Sequence, residues 1–323
     1  MKKIFTGLKP TSDQIHIANY FAAVKPILDY QEDNTKDLTL FIADLHSLNL
    51  VHEKNLIWDY TIKQAKIYLA CGLDPEKILF FRQSHVAAHA QLQWILTALT
   101  HIGYMKRMHA YKDAVAKWNN DDITVGTFCY PILMAADILL YNIDLVPVGK
   151  DQKQHIEFAR DIAQKFNKIY GETFKLPDAL IPSEIWSIPG LDGRKMSKSY
   201  NNYIGILDEE KTILKKVKTI VTDNLSIEES KDPDTCNVYN IMKLFLDDKE
   251  ENEKIRAWYT EWGVSYKDIK MYLYDKVIEF VKPIQDKYND ISDDEVRKML
   301  EEWEKKASKE ANKVMQEVMN KVF

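Results

Sequence analysis

Short apolar runs separated by longer stretches of helical spacing constrain the fold of this chain more than any other feature. The runs are Ile4-Phe5-Thr6-Gly7-Leu8, Leu38-Thr39-Leu40-Phe41-Ile42-Ala43, Ile78-Leu79-Phe80-Phe81 and Leu145-Val146-Pro147-Val148. Each is bounded by polar residues or turn formers, as buried strands of a parallel sheet are. Between them, residues 54–72, 88–102, 131–141 and 151–169 carry helical periodicity. Parallel strands need crossover connections, and helices supply them, so the alternation predicts an α/β fold with a doubly wound, Rossmann-like sheet. After residue 206 the strand signal nearly stops. Segments 208–221, 237–247, 249–263, 266–289 and 292–321 read as helices, with Pro283 placed to break or kink one of them. The expected division is an α/β domain over 1–205 and an all-helical domain over 206–323, whose last helix is able to pack back on the first.

Charge and cysteine usage narrow the class. The 323 residues are 29% charged and 46% hydrophobic, enough for a real core in an ordinary soluble protein. The start of the chain has Lys2 and Lys3 but no apolar stretch of signal-peptide length. The most apolar segment, 130–148, is interrupted by Asp137, Asn142 and Asp144, so no membrane span is expected. Cys71, Cys129 and Cys236 form no CxxC pair, which speaks against a bound structural metal or a disulfide framework and fits a reducing cytoplasm. Residues 203–323 hold 21 Lys+Arg against 27 Asp+Glu, a net of -6, and the first 202 hold 23 against 22, a net of +1. A non-specific polyanion binder normally carries a strong basic excess, so that balance counts weakly against nucleic-acid binding, and it leaves room for a protein that grips folded RNA by shape and local contacts.

Two polar segments stand out from this scaffold. Gly193-Arg194-Lys195-Met196-Ser197-Lys198-Ser199 sets two lysines three residues apart on a loop rich in serine, where both ammonium groups can reach phosphate. Lys9-Pro10-Thr11-Ser12-Asp13-Gln14-Ile15-His16-Ile17-Ala18-Asn19 follows the first strand and leads into a helix, so His16 and Asn19 fall near a helix N-terminus suited to anions. Strand, turn, polar pair and helix start together outline a nucleotide pocket. Asp137 poses a separate problem, since it lies on an otherwise apolar helix between Met134 and Ile138. Its carboxylate is either satisfied internally by backbone or tyrosine, or serves as the acceptor for a ligand.

The two segments resemble the paired signatures of class I aminoacyl-tRNA synthetases, and their order and separation fit. The block from Tyr130 through Tyr141, continued by Asp144-Leu145-Val146-Pro147-Val148-Gly149-Lys150-Asp151-Gln152-Lys153-Gln154-His155, is similar to the bacterial tryptophanyl branch. This likeness extends over nearly the whole chain. It implies ATP, carried with Mg²⁺, and L-tryptophan as small substrates, tRNA(Trp) as macromolecular partner, and a homodimer built on helices 54–72 and 88–118, with Met105 and Met108 as interface candidates. By the same resemblance Lys195, Lys198, His16 and Asn19 are catalytic, and Lys9, Ala18, Gly149, Asp151, Met196 and Ser197 face the nucleotide. Phe5, Gly7, Met134, Val146 and Val148 enclose the indole, Asp137 accepts its N–H, and Tyr130 and Gln152 hold the amino acid's ammonium and carboxylate. Plain core packing is the other reading of the apolar members.

Several positions depart from the family pattern. Ala18 replaces the glycine of the first signature, and the loop over 11–15 is one residue longer and lacks a glycine. Ala114 stands where the family has a mobile phosphate-binding lysine, with Lys112 and Lys117 nearby. The aromatics Trp258, Tyr259, Trp262 and Tyr266 could stack on anticodon bases or simply pack. Three other functions share parts of this signature: the tyrosine enzyme, a non-catalytic RNA-binding paralogue, and a small-molecule nucleotidyl transferase. Val146 and Val148 offer a phenol no polar partner, the intact lysines speak against decay, and a nucleotidyl transferase has no use for the helical domain.

Overall fold

The computed structural model describes residues 1–117, 122–181, 188–246, 248–261 and 264–323. Five strands, β1 (Lys2–Leu8), β2 (Lys36–Ile42), β3 (Leu79–Arg82), β4 (Leu145–Pro147) and β5 (Asp178–Leu180), form one parallel sheet in the order β3-β2-β1-β4-β5. This is the doubly wound order expected, and the chain reverses its direction of winding between β1 and β4. β1 pairs with β2 along its full length, from Lys2↔Lys36 to Leu8↔Ile42. With β4 it pairs at Ile4↔Leu145, and beyond that point the two strands part. Their carboxyl ends therefore open onto a crevice. β5 was not legible beforehand, because three residues carry no usable alternation.

Helices cover the sheet. The first segment runs as α1 (Ile17–Asn19), a π-helical turn (Tyr20–Val24) and α2 (Lys25–Glu32). Then follow α3 (Asp44–Ser47), α4 (Leu56–Ala70), α5 (Ala88–Leu99), α6 (Ile102–Met105), α7 (His109–Lys117), α8 (Val125–Leu139) and α9 (Lys153–Tyr170). α8 starts at Thr124, whose hydroxyl accepts from the Thr127 N–H, and passes through Pro131. The sequence reading began this helix at Pro131, but the Thr124 cap and the packing of the apolar face outweigh one missing N–H. The remaining helices are α10 (Glu210–Lys218), α11 (Asn237–Met242), α12 (Lys249–Thr260), α13 (Tyr266–Asp290) and α14 (Asp293–Val322). α13 runs through Pro283 unbroken, and Ser292 with Glu295 forms the capping box that starts α14.

α14 returns to the sheet and lies against β3. Arg82 and Glu304, 2% and 6% exposed, form a bidentate pair there, and the guanidinium sits 4.4 Å from the Trp58 ring centroid. Trp303 adds a ring contact with Phe80 and donates to the Pro75 carbonyl. Met105 and Met108 are buried in the core and not presented to a partner, which corrects their assignment as interface residues. Tyr259 is core as well, while Trp262 and the side chain of Lys117 lie outside the described residues. Among the described residues no helix is long and apolar enough to cross a membrane.

Candidate active site

The crevice between the diverging ends of β1 and β4 is a cavity of ≈ 330 Å³. β1 supplies Phe5, Thr6, Gly7 and, just beyond its end, Lys9; β4 supplies Val146 and Pro147, followed by Val148 and Gly149. Gly7 must be glycine, because a Cβ would stand 2.5 Å from the Phe41 ring. Phe41 in turn stacks on Phe5 at 4.6 Å, making an apolar wall with planar character. Tyr130, Met134, Asp137 and Ile138 line the cavity from one face of α8, spaced four, three and one residues apart as one helical face requires. Gln152 closes the remaining side from the turn before α9.

Asp137 is fully buried and satisfied internally, by side chains of three other elements and not by the backbone or tyrosine that the sequence suggested. Its Oδ1 accepts from Gln83 Nε2 at 2.7 Å and His89 Nδ1 at 2.6 Å, and its Oδ2 from His46 Nε2 at 2.9 Å. Burial pushes the carboxyl pKa up, but the hydrogen bonds from His46 and His89 outweigh it and hold the group below the ordinary aspartate value. A carboxylate only accepts, so His46 Nε2 and His89 Nδ1 must carry their protons. On its far side the His89 ring bonds the Tyr141 hydroxyl through Nε2, 3.0 Å away. Asp137 is thus satisfied internally and still lines the cavity, with capacity left on Oδ2. At the mouth, Lys9 Nζ lies 5.4 Å from the Tyr130 ring centroid and desolvation lowers its pKa. Tyr130 shares its hydroxyl with His155 Nε2 at 3.1 Å.

The two signature segments meet beside this cavity. His16 caps α1 by accepting the Asn19 N–H on Nδ1 at 3.2 Å, and Asn19 Oδ1 accepts the His16 N–H in return. Burial, aided by the Lys198 charge, pushes the His16 pKa down to about 4, so the ring is neutral and able to accept. Lys198 reaches across to Ser12 Oγ and the Gln14 carbonyl, and burial lowers its pKa. Lys195 is exposed, and among the described residues its ammonium has no partner. Asn202, 3% exposed, holds the lysine loop together: Oδ1 accepts from the Ser197 N–H, and Nδ2 donates to Asp192 and to the Lys195 carbonyl.

The eight residues expected around an amino acid, Phe5, Gly7, Tyr130, Met134, Asp137, Val146, Val148 and Gln152, all line the one cavity, joined there by Lys9 and Gly149. The other nucleotide-side residues do not line it. Ala18 and Met196 are buried in packing, Asp151 is exposed and accepts from Gln152 Nε2, and Ser197 caps the turn over 198–200. Sequence reasoning missed Phe41, His46, Gln83, His89, His155 and Asn202. Polar residues soon after the ends of β2 and β3, at His46 within α3 and Gln83 directly after β3, were the available signal, since a doubly wound sheet puts its site at the strands' carboxyl ends.

A doubly wound parallel sheet with its cavity at the switch point, flanked by a capped His-Ile-Ala-Asn turn and a two-lysine loop, defines a nucleotide-handling enzyme of the class I synthetase type. Residues 1–282 match the family described as tRNA synthetases class I (W and Y), and the chain belongs to that family. It is similar to the tryptophan–tRNA ligase of Campylobacter jejuni, 41% identical over 322 residues that span 99% of each chain. The tryptophan–tRNA ligase of Fusobacterium nucleatum is 42% identical over 310 residues, 95% of this chain and 93% of that one. Among solved structures, the Campylobacter jejuni tryptophanyl-tRNA synthetase complexed with ADP and tryptophan superposes with a TM-score of 0.92 at 40% identity, covering 99% of both chains. The Mycoplasma pneumoniae tryptophanyl-tRNA synthetase gives 0.82 at 29% identity, covering 100% of this chain and 98% of that one.

Proposed function

We propose that this chain is a tryptophan–tRNA ligase, which activates L-tryptophan with ATP and transfers it to the 3′ end of tRNA(Trp). The observation that carries the reading is the buried, charged Asp137 in the wall of a cavity that also has the stacked Phe5 and Phe41 rings on one side, with one oxygen open to a further donor. An indole offers one N–H on a large planar apolar body, and this cavity is its complement. A charge-assisted hydrogen bond of this kind contributes roughly 1.5–3 kcal/mol. Phenylalanine would leave the carboxylate oxygen unmatched, and a site built for a donor rejects analogues that lack it. A phenol finds no polar partner at Val146 or Val148.

Phe5, Gly7, Met134, Val146 and Val148 enclose the ring, and Tyr130 and Gln152 take the ammonium and carboxylate. Mg·ATP is the second substrate, its cation held by phosphate oxygens and water. His16 and Asn19, with Lys9, Ala18, Gly149, Asp151, Met196 and Ser197, form the nucleotide side. The tryptophan carboxylate attacks the α-phosphate in line and pyrophosphate leaves. Chemistry of this type depends on positioning and on neutralising phosphate charge. Lys195 is free to swing onto the leaving phosphates, and Lys198 exchanges Ser12 and Gln14 for phosphate oxygens as the loop closes. A ribose hydroxyl of the tRNA terminus then attacks the activated carbonyl.

Residues 1–205 form the catalytic domain and 206–323 the anticodon-binding domain, with α14 as the element that returns. The protein works as a homodimer in the cytoplasm, where its three free cysteines stay reduced. Leu50, Trp94, Ile102 and Val125, 61%, 74%, 65% and 77% exposed, are the apolar groups a partner copy would cover. The test is ATP–pyrophosphate exchange with each of the twenty amino acids. Exchange driven by tryptophan alone is expected. Exchange with tyrosine would move the assignment to the sister enzyme, and none from folded protein would favour a non-catalytic paralogue.

A further inference from the structure

We infer that Gln83 and His89, with Tyr141 behind them, are positioning residues that leave Asp137 with a single oxygen to offer in the cavity. The inference deepens the reading of Asp137 as indole acceptor and rests on it. Gln83 follows β3, His89 opens α5 and Tyr141 follows α8, so three separate elements converge on one carboxylate. Asp137 and His46 line the cavity, whereas Gln83, His89 and Tyr141 do not. Their donors both go to Oδ1, and the other oxygen receives His46 alone.

With two donors fixed on Oδ1 the carboxylate cannot rotate, and the free lone pair of Oδ2 keeps one direction. The Tyr141 hydroxyl bonds Nε2 from behind at 3.0 Å and so holds the imidazole in the orientation that turns Nδ1–H to Asp137. Phe41 and Phe81 flank the imidazole at 6.2 and 5.9 Å and hold its plane. Core packing alone does not call for this arrangement. Gln83 Oε1 is buried with no partner, a polar atom kept inside because the other end of the same amide is needed. Local rules are broken in this way where a site demands it.

The test uses the full-length enzyme, pyrophosphate exchange, and two amino acids: tryptophan and L-β-(3-benzothienyl)alanine, in which sulfur replaces the indole N–H. Wild type should prefer tryptophan. His89→Leu should lower kcat/KM for tryptophan about 10- to 100-fold, chiefly through KM, the scale of one charge-assisted hydrogen bond. The benzothienyl substrate should change by less than about threefold, because it never used that bond. KM for ATP should not move. His89→Asn, whose amide nitrogen can take the place of Nδ1, should recover part of the tryptophan preference, and Tyr141→Phe should lose a smaller part of it. Equal losses for both amino acids in a folded variant, or an unchanged tryptophan preference, would overturn the inference. If melting shows His89→Leu unfolded, the Asn and Phe variants carry the same comparison. A wild type that takes both amino acids equally would instead remove the reading of Asp137 itself, a failure visible before any variant is made.

Discussion

At the residue scale, charge state decides what each polar group can do. His16 works as a cap only while Nδ1 keeps its lone pair, and its pKa is pushed down to about 4 by burial and by Lys198. His155 is also held down to about 4, by burial and then by Lys9. Above pH 6.5 both rings are neutral folded or unfolded. Between 6.5 and 4 the unfolded chain binds protons that the folded chain refuses, so stability falls as pH falls through that window. Urea midpoints measured at pH 7.5, 6 and 5 should drop for wild type and drop less steeply for His155→Gln; parallel slopes would show that His155 does not contribute. Lys195 presents the opposite case, exposed and with no partner for its ammonium among the described residues. Lys195→Ala should leave melting unchanged and lower kcat for pyrophosphate exchange about 10²–10³-fold, the usual scale for one transition-state donor. A comparable loss in tryptophan affinity would mean that the lysine binds ground state instead. Asp137 was legible from sequence because a carboxylate on an apolar helix needs a partner. Its donors were not, since His46, Gln83 and His89 come from three other elements and no spacing links them.

At the element scale, long elements were legible and their joints were not. Strands β1 to β4 and the helices α4, α5 and α9 to α14 could be read from periodicity, as could the second half of α8, because each buries one side against a neighbour. The short pieces carry no period: β5 has three residues, and the π turn of 20–24 sits unseen within a continuous helical pattern. Long-range pins were equally silent. The Arg82–Glu304 pair joins β3 to α14 across 222 residues. Removing one partner strands the other charge in the core, so Glu304→Ala should cost about 3–5 kcal/mol in urea unfolding. The double variant Arg82→Met with Glu304→Leu should recover most of that loss, which a purely steric effect at α14 would not allow. The lysine loop depends on Asn202 in the same way. Asn202→Ala should loosen residues 192–198, seen as faster amide exchange there, and lower kcat together with ATP affinity.

At the scale of the whole molecule, the exposed apolar groups require an explanation that a single chain does not give. Trp94 stands 74% exposed on α5, and Leu50 and Val125 are 61% and 77% exposed on segments that meet where Gly126 faces Asn49. Where such groups adjoin one another they mark a contact surface, and these are the ones the proposed dimer would cover. Met105 and Met108, the residues the sequence suggested for such a contact, satisfy the same helical periodicity from the inward side and are buried. If the partner is a second copy, the interface is two-fold and each substitution is felt twice. A tryptophan anchor typically accounts for about 2 kcal/mol or more, so Trp94→Lys should weaken a dimer by about 4 kcal/mol, on the order of a thousandfold in Kd. Sedimentation equilibrium at micromolar protein should then show a dimer for wild type and a monomer for the variant. The variant's melting should fall only by what dimerisation contributed, and so should converge with wild type on dilution. A wild type that sediments as a monomer, or a variant that stays dimeric, would assign this surface to a different partner. The tRNA, which must cover part of the same molecule, would be the next to test by the binding of Trp94→Lys to it.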